Sequence, residues 1–279
     1  MDLERQCLKK IVRLALAEDR VREDITTGSL ADLDGTARAE VRAKEPGVIS
    51  GIEAFLLVMR EVDPQLEVAV FAGDGCAVRA GDLVLEVAGR ESSILRGERT
   101  ALNFLQRLSG VATLTRRFVE ALKPFGVQLL DTRKTTPGMR YLEKNAVRHG
   151  GGRNHRLNLA DMAMVKDNHI AMAGGIAAAV RRVRAAHPGK QVEVEVKDLR
   201  ELEEALELGV DLVMLDNFSV EQAAAAVAVN RGRARLEISG NVSLENIAAK
   251  AATGVDFISV GALTHSFPSL DLSLKIVRS

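Results

Sequence analysis

Six short apolar runs in the second half of the chain each stop at a polar or glycine residue, and a stretch of helical periodicity follows each one. They are Val127 to Leu130 before Asp131, Met162 to Val165 before Lys166, Val192 to Val194 before Glu195, Leu212 to Leu215 before Asp216, Leu236 to Ile238 before Ser239, and Phe257 to Val260 before Gly261. The last four endings, Glu195, Asp216, Ser239 and Gly261, stand 21, 23 and 22 residues apart. That is about the length of one strand, one helix and two loops. Repetition of this unit restricts the segment to parallel strands in a barrel or an open sheet. Strands that all run the same way deliver the residues just beyond them to one rim, where α/β barrels carry their active sites.

The first half has a different rhythm. Helical spacing from Leu3 to Glu18 predicts an amphipathic helix, interrupted by too many charges to be a signal sequence. Between Ala37 and Gly89, alternating stretches such as Leu66 to Val70 and Leu83 to Val87 are separated by glycine turns, with a helical interval from Gly51 to Val62. This is a small mixed α/β domain. The Gly73-Asp74-Gly75 and Gly81-Asp82 turns have no lysine between the strands to carry a prosthetic group, so they are read as plain turns. Glu91 to Leu122 holds no proline and one glycine, Gly110, and predicts one or two connecting helices. Asp271 to Val277 alternates polar and apolar residues and is expected to return as a strand to the first domain. The expected organisation is therefore residues 1–110 as the N-terminal domain, joined by 270–279, and residues 111–269 as the catalytic α/β domain.

Composition removes several classes of function. The chain has 279 residues, with 38 lysines and arginines against 38 aspartates and glutamates, so no net field draws it to nucleic acid or an anionic membrane. Eight Phe, one Tyr and no Trp leave few faces for stacking bases. No uncharged apolar run reaches the ~18 residues that cross a bilayer. The two cysteines, Cys7 and Cys76, share no metal-ligand spacing, and a reducing cytoplasmic setting is expected.

Charge is concentrated locally instead. At the strand ends Asp131, Lys166, Glu195 and Asp216 gather four charged groups at one rim; for any one of them a structural ion pair is as good a reading, but the set beside glycine loops favours a site. From Asp131 to Arg156 seven basic residues face two acidic ones, a surplus of five in a neutral chain. Pro137 to Val147 is expected to form a helix opened by its proline, with Arg140, Lys144 and Arg148 as a solvated stripe. Thr132, Arg133 and Lys134 precede it in a loop rich in donors for phosphate or carboxylate. Gly150-Gly151-Gly152-Arg153-Asn154-His155-Arg156 has neither the P-loop nor the dinucleotide glycine spacing, and presents His155, a candidate hydrogen-bond donor to substrate, beside Arg156. His149, His155 and His169 lack partners at zinc-ligand spacing. Ser239-Gly240-Asn241 and Val260-Gly261-Ala262 end the last two strands, where barrel enzymes often seat a phosphate; each alone is equally readable as a tight turn.

Several stretches resemble the quinolinate phosphoribosyltransferases. They are Asp131-Thr-Arg-Lys-Thr-Thr-Pro-Gly138, Gly150 to Arg156, Lys166-Asp-Asn-His169, Met214-Leu-Asp-Asn217, Ser259 to Ser266, Glu98 to Asn103, and the region from Glu18-Asp19 to Thr27. The likeness spans nearly the whole chain. It implies an N-terminal α/β sandwich domain, a C-terminal open, incomplete α/β barrel of the type II phosphoribosyltransferases, and a homodimer, or a higher oligomer, whose sites draw residues from two subunits. The implied reaction is pentosyl transfer: quinolinate and phosphoribosyl pyrophosphate give nicotinate mononucleotide, carbon dioxide and pyrophosphate in de novo NAD synthesis. By the resemblance Arg133, Lys134, His155, Arg156 and Lys166 hold the diacid, joined by Arg99 of a neighbouring subunit. Glu195 and Asp216 engage the ribose, and Ser239, Gly240, Asn241 and Gly261 the 5-phosphate. Lys134, Lys166, Glu195 and Asp216 form the catalytic set, with magnesium accompanying the phosphosugar near Glu195 and Asp216 and no organic cofactor.

Two positions depart from the family pattern: Glu23 where glycine is usual, and Asn241 where a second glycine is common. They bear only on the local turn and on the geometry of the phosphate loop. Three other readings stand beside this one: a molybdenum-transport-associated paralogue, against which the full basic set argues; a lyase with Lys134 or Lys166 as imine-forming amine; and a non-enzymatic phosphate sensor.

Overall fold

The computed structural model describes residues 3–277; Met1, Asp2, Arg278 and Ser279, the ends of the expected domain ranges, lie outside the described residues. Two compact units are present. The first is built from the chain up to Arg116, Thr135–Gly151 and the chain from Thr264 onward, and the second from Arg117–Lys134 and Gly152–Leu263.

The first unit contains strands β1 (Thr36–Ala43), β2 (Gly47–Val48), β3 (Glu67–Val70), β4 (Ala77–Val78) and β5 (Leu83–Arg90). The C-terminal strand Leu272–Val277 joins them, pairing antiparallel with β1 from Ala43↔Leu272 to Arg38↔Val277. It forms one edge of a four-stranded antiparallel sheet in which β1, β5 and β3 follow in order. Alternation in β1 turns Ala39, Val41 and Ala43 inward, all fully buried. Phe55, Val58 and Met59 of the helix Ile52–Val62 are buried with them, as the helical spacing predicts. Glu91–Leu122 is one uninterrupted helix of 32 residues. Gly110 does not break it, because the residue serves a close approach: a Cβ there would stand 2.2 Å from the Pro268 carbonyl oxygen.

The second unit holds β6 (Gln128–Leu130), β7 (Ala163–Val165), β8 (Val192–Val196), β9 (Leu212–Asp216), β10 (Arg235–Ser239) and β11 (Phe257–Ser259), with Leu272–Val277 completing the count as β12. All five pairings in this sheet are parallel, in the order β6-β11-β10-β9-β8-β7. That is the cyclic order of a barrel cut open between β6 and β7. At the cut, Arg153 forms a parallel bridge to Leu130, so the glycine-rich loop lies along the free edge of β6. Helices Ile176–Ala186, Leu199–Glu207 and Val220–Asn230 connect successive strands. Asp198 and Ser219 cap the last two, accepting the N–H groups of Glu201 and Gln222 at 2.8 and 3.2 Å. Among the described residues no helix is long and apolar enough to cross a membrane.

Two expectations about the helix after the Thr132 to Thr136 loop are corrected. It runs Arg140–Gly150, starting three residues late, because Met139 N–H bonds back to Thr136 carbonyl and leaves Pro137 in a turn. Its basic stripe is not a solvated face. Only Arg148 is exposed, while Lys144 is 1% exposed, since the buried arc of this helix also takes in Leu142, Glu143, Ala146 and Val147.

Candidate active site

The parallel sheet sets the candidate residues in register. β9 and β10 pair Asp216 with Ser239, and β8 and β9 pair Glu195 with Met214. Lys166 follows β7 directly, and its ammonium forms a short ion pair with Glu195. Thr132, Arg133 and Lys134 follow β6, where the Lys134 N–H bonds the Thr132 hydroxyl at 3.0 Å. The second unit therefore contains every residue proposed from the sequence except Arg99, which lies on the Glu91–Leu122 helix of the first unit. There Arg99 lines a cavity of about 420 Å³ with Glu18, Asp19, Thr100, Asn103 and Arg107.

Asp131, grouped with the rim charges in the sequence reading, is fully buried and works on the loop instead. Its carboxylate accepts the His155 backbone N–H at 2.9 Å and the Asn154 side-chain amide at 2.6 Å. Backbone bonds from Arg153 N–H to Leu129 and from Asp131 N–H to Arg153 complete the attachment. Arg156 is thereby carried to the barrel interior, where its guanidinium donates to Met162 carbonyl at 3.4 Å. Burial first, and then the neighbouring Arg133, lower the Arg156 pKa, although a guanidinium stays charged. Two cations pressed together in a partly dehydrated place favour an anion between them.

His155, expected to donate a hydrogen bond to substrate, is largely enclosed. Its side chain is 7% exposed, and Nε2 lies 3.0 Å from Glu193 and 3.4 Å from Glu237, both fully buried. The Arg156 backbone N–H points at Nδ1 from 2.8 Å, which places the ring proton on Nε2, facing the carboxylates. Burial pulls the imidazole down, but Glu193 and Glu237 outweigh it and raise the group to about 10. Burial likewise pushes the Glu193 carboxyl above the usual carboxylate range. The trio therefore holds one extra proton at neutral pH, and whether it sits on the ring or on a carboxyl, the count is the same. These three are also the group among the described residues with metal-ligand geometry, their ligand atoms lying within 4.8 Å of one another. A metal-bound histidine normally donates its second nitrogen, whereas Nδ1 here accepts, so the cluster suits a proton better than a cation.

Glu193 and Glu237 went unnoticed in the sequence, yet the signal was present. Glu193 is two residues before Glu195 and Glu237 two before Ser239, so strand periodicity turns each pair to one face. A second unnoticed group, in the first unit, is Arg107 with Glu143. Arg107 donates to the fully buried Glu143 at 3.0 Å and also to Thr136, whose N–H bonds Glu143 at 3.0 Å. This anchors the residue two after Lys134.

At the same rim the chain turns sharply after β10, Gly240 and Asn241 both having positive φ, and Val260, Gly261 and Ala262 after β11 lead into the short helix Ala262–His265. An open parallel α/β barrel with carboxylates, clustered cations and two turns at one rim defines an enzyme acting on small anionic substrates.

Comparison with known proteins narrows this class. Family models described as quinolinate phosphoribosyl transferase, N-terminal and C-terminal domain, match residues 24–109 and 111–275. The chain belongs to that family. It is 47% identical over 268 residues to the probable nicotinate-nucleotide pyrophosphorylase (carboxylating) of Synechocystis sp., covering 95% of this chain and 90% of that one. It is 43% identical to the nicotinate-nucleotide pyrophosphorylase (carboxylating) of Mycobacterium leprae, covering 99% of both. The solved nicotinate-nucleotide pyrophosphorylase of Francisella tularensis superposes with a TM-score of 0.92 at 42% identity, over 99% of this chain and 98% of that one.

Proposed function

We propose that this chain is a quinolinate phosphoribosyltransferase, joining quinolinate to phosphoribosyl pyrophosphate to give nicotinate mononucleotide, carbon dioxide and pyrophosphate. The observation that carries the reading is the basic set held by separate elements of one unit: Arg133 after β6, Arg156 on the loop bound to Asp131, and Lys166 after β7. Quinolinate has two adjacent carboxylates. Planar guanidinium groups and a lysine grip both while leaving the ring nitrogen unprotonated to attack. Lys134, and Arg99 of a second subunit in a homodimer, complete this set.

The ring nitrogen bonds C1 of the ribose as the bond from C1 to the pyrophosphate oxygen breaks, and C1 gains positive character on the way. Glu195 and Asp216 place negative charge beside it and engage the ribose hydroxyls. Ser239 to Asn241 and Val260 to Ala262 hold the 5-phosphate. The ring nitrogen, now cationic, stabilises the electron pair left on the adjacent ring carbon when its carboxylate departs as carbon dioxide, and that carbon then uses the pair to take a proton from water. Lys134 and Lys166 act as electrostatic partners. Oxygen donors at Glu195 and Asp216 suit a hard cation, and magnesium entering with phosphoribosyl pyrophosphate would neutralise charge on the leaving group. Cys7 and Cys76 are both free and exposed, which fits a cytoplasmic enzyme.

The test is incubation with quinolinate, phosphoribosyl pyrophosphate and magnesium, followed by mass spectrometry. Nicotinate mononucleotide and carbon dioxide in equal amounts are expected. Borohydride trapping of a lysine adduct, or binding without turnover, would instead favour the lyase or sensor reading.

A further inference from the structure

Asn217 follows Asp216 at the end of β9, and four features converge on it. Its backbone is left-handed, with φ of +57°, a conformation asparagine tolerates better than most residues. Its N–H donates to Ser239 carbonyl at 2.9 Å. Its side-chain Nδ2 donates to Asp216 Oδ2 at 2.8 Å, and its Oδ1 accepts from Asn241 Nδ2 at 3.1 Å. Gly240 gives way to it, since a Cβ there would stand 2.1 Å from Asn217 Oδ1. The amide orientation is fixed by its neighbours: an ionised Asp216 only accepts, so Nδ2 must face it, and the Asn241 amide must then donate to Oδ1. Asn241 is itself left-handed at φ +49° and is tied further along by Asn246, whose side chain donates to its carbonyl at 2.8 Å.

We infer that Asn217 is a positioning residue that locks the Asp216 carboxylate to the Ser239 to Asn241 turn, so that the ribose and 5-phosphate ends of one phosphosugar meet a preset spacing. The inference rests on the assignment of those two elements to phosphoribosyl pyrophosphate. Without the bridge, strand pairing still holds the Asp216 backbone beside Ser239, but the Asp216 carboxylate is no longer tied to Gly240 and Asn241 beyond the strand end. The loss falls on the ligand that spans both elements. Asn241, which departs from the second glycine usual in the family, supplies the other half of the bridge through a side chain that glycine lacks.

Asn217→Gly keeps the left-handed backbone accessible and removes only the amide. Calorimetric titration of phosphoribosyl pyrophosphate, in the presence of benzene-1,2-dicarboxylate as a diacid without a nucleophilic nitrogen, should show about tenfold weaker binding than wild type. Quinolinate binding to the free enzyme should change less than about twofold, a split that general loosening of the fold would not produce. Asn241→Gly should weaken phosphoribosyl pyrophosphate binding similarly, and the double variant should be no worse than either single, because both remove one bridge. Additive losses would assign each side chain a separate contact with substrate and overturn the proposal, as would an unchanged Asn217→Gly or equal weakening of both ligands. If Asn217→Gly fails to fold, Asn241→Gly decides through inorganic phosphate, which occupies the turn alone: weakening of phosphoribosyl pyrophosphate but not of phosphate supports the bridge, and equal weakening of both overturns it. Wild-type protein that binds no phosphoribosyl pyrophosphate would overturn the functional reading and this inference together, whereas tight wild-type binding with no split sinks the inference alone.

Discussion

Replacing Glu193 and Glu237 together with glutamine should invert the way His155 links stability to pH. In the wild type the ring trio binds its extra proton with an apparent pKa of about 10, against about 6.5 for histidine in the unfolded chain. The folded state therefore holds more protons than the unfolded state between these values. The stability this supplies is complete below about pH 6.5 and is lost at about 1.4 kcal/mol per pH unit as pH rises toward 10. In the double glutamine variant only burial acts on the imidazole, pulling its pKa below 6.5; its contribution is complete above that value and lost as pH falls. The free-energy gap, wild type minus variant, should thus shrink by about 2–3 kcal/mol between pH 7 and pH 9. Urea unfolding of both proteins at pH 7, 8 and 9 measures the gap directly, and groups common to the two cancel. A gap constant to within about 0.5 kcal/mol across that range would refute the shared proton.

Three further outcomes follow from the geometry. Arg133→Ala and Arg156→Ala should each raise the quinolinate Michaelis constant about 10–100-fold, since a charge-assisted hydrogen bond contributes about 1.5–3 kcal/mol, while that for phosphoribosyl pyrophosphate changes little; steady-state kinetics with each substrate varied would show the opposite pattern if the cations held the pyrophosphate. Mixing Arg99→Ala protein with Lys134→Ala protein should regain about a quarter of wild-type activity if sites are shared in a dimer, because about half of all dimers are then mixed and each mixed dimer has one of its two sites intact, and no recovery in an activity assay of the mixture would exclude sharing. Gly110→Ala should lower the melting temperature by several degrees, because the Pro268 carbonyl that its Cβ would meet is backbone and cannot rotate away; an unchanged melting curve would show that the segment moves freely.

The barrel was legible because its signal is periodic and repeated: each apolar run matches an observed strand to within two residues at either end, and the residues proposed for the rim stand at or just beyond the C-terminal ends of strands of one parallel sheet. The C-terminal strand was legible for the same reason, an alternation matched by buried Leu272 and Leu274. What the sequence hid were groups whose partners are distant along the chain. Asp131 looks like a rim charge until Asn154 and the His155 backbone are seen on it. Lys144 keeps the spacing of a surface stripe, but tertiary packing, not helical period, decides how wide the buried arc is. Asn217 carries no sequence signal for its role, because the bridge depends on a left-handed backbone and on a neighbouring strand.

The most direct test is diffraction from crystals grown with quinolinate. The pyridine diacid should lie between Arg133, Arg156 and Lys166, each carboxylate within hydrogen-bond distance of a cation and the ring nitrogen left without a donor. Quinolinate bound away from these three residues, or with its nitrogen capped by one of them, would contradict it.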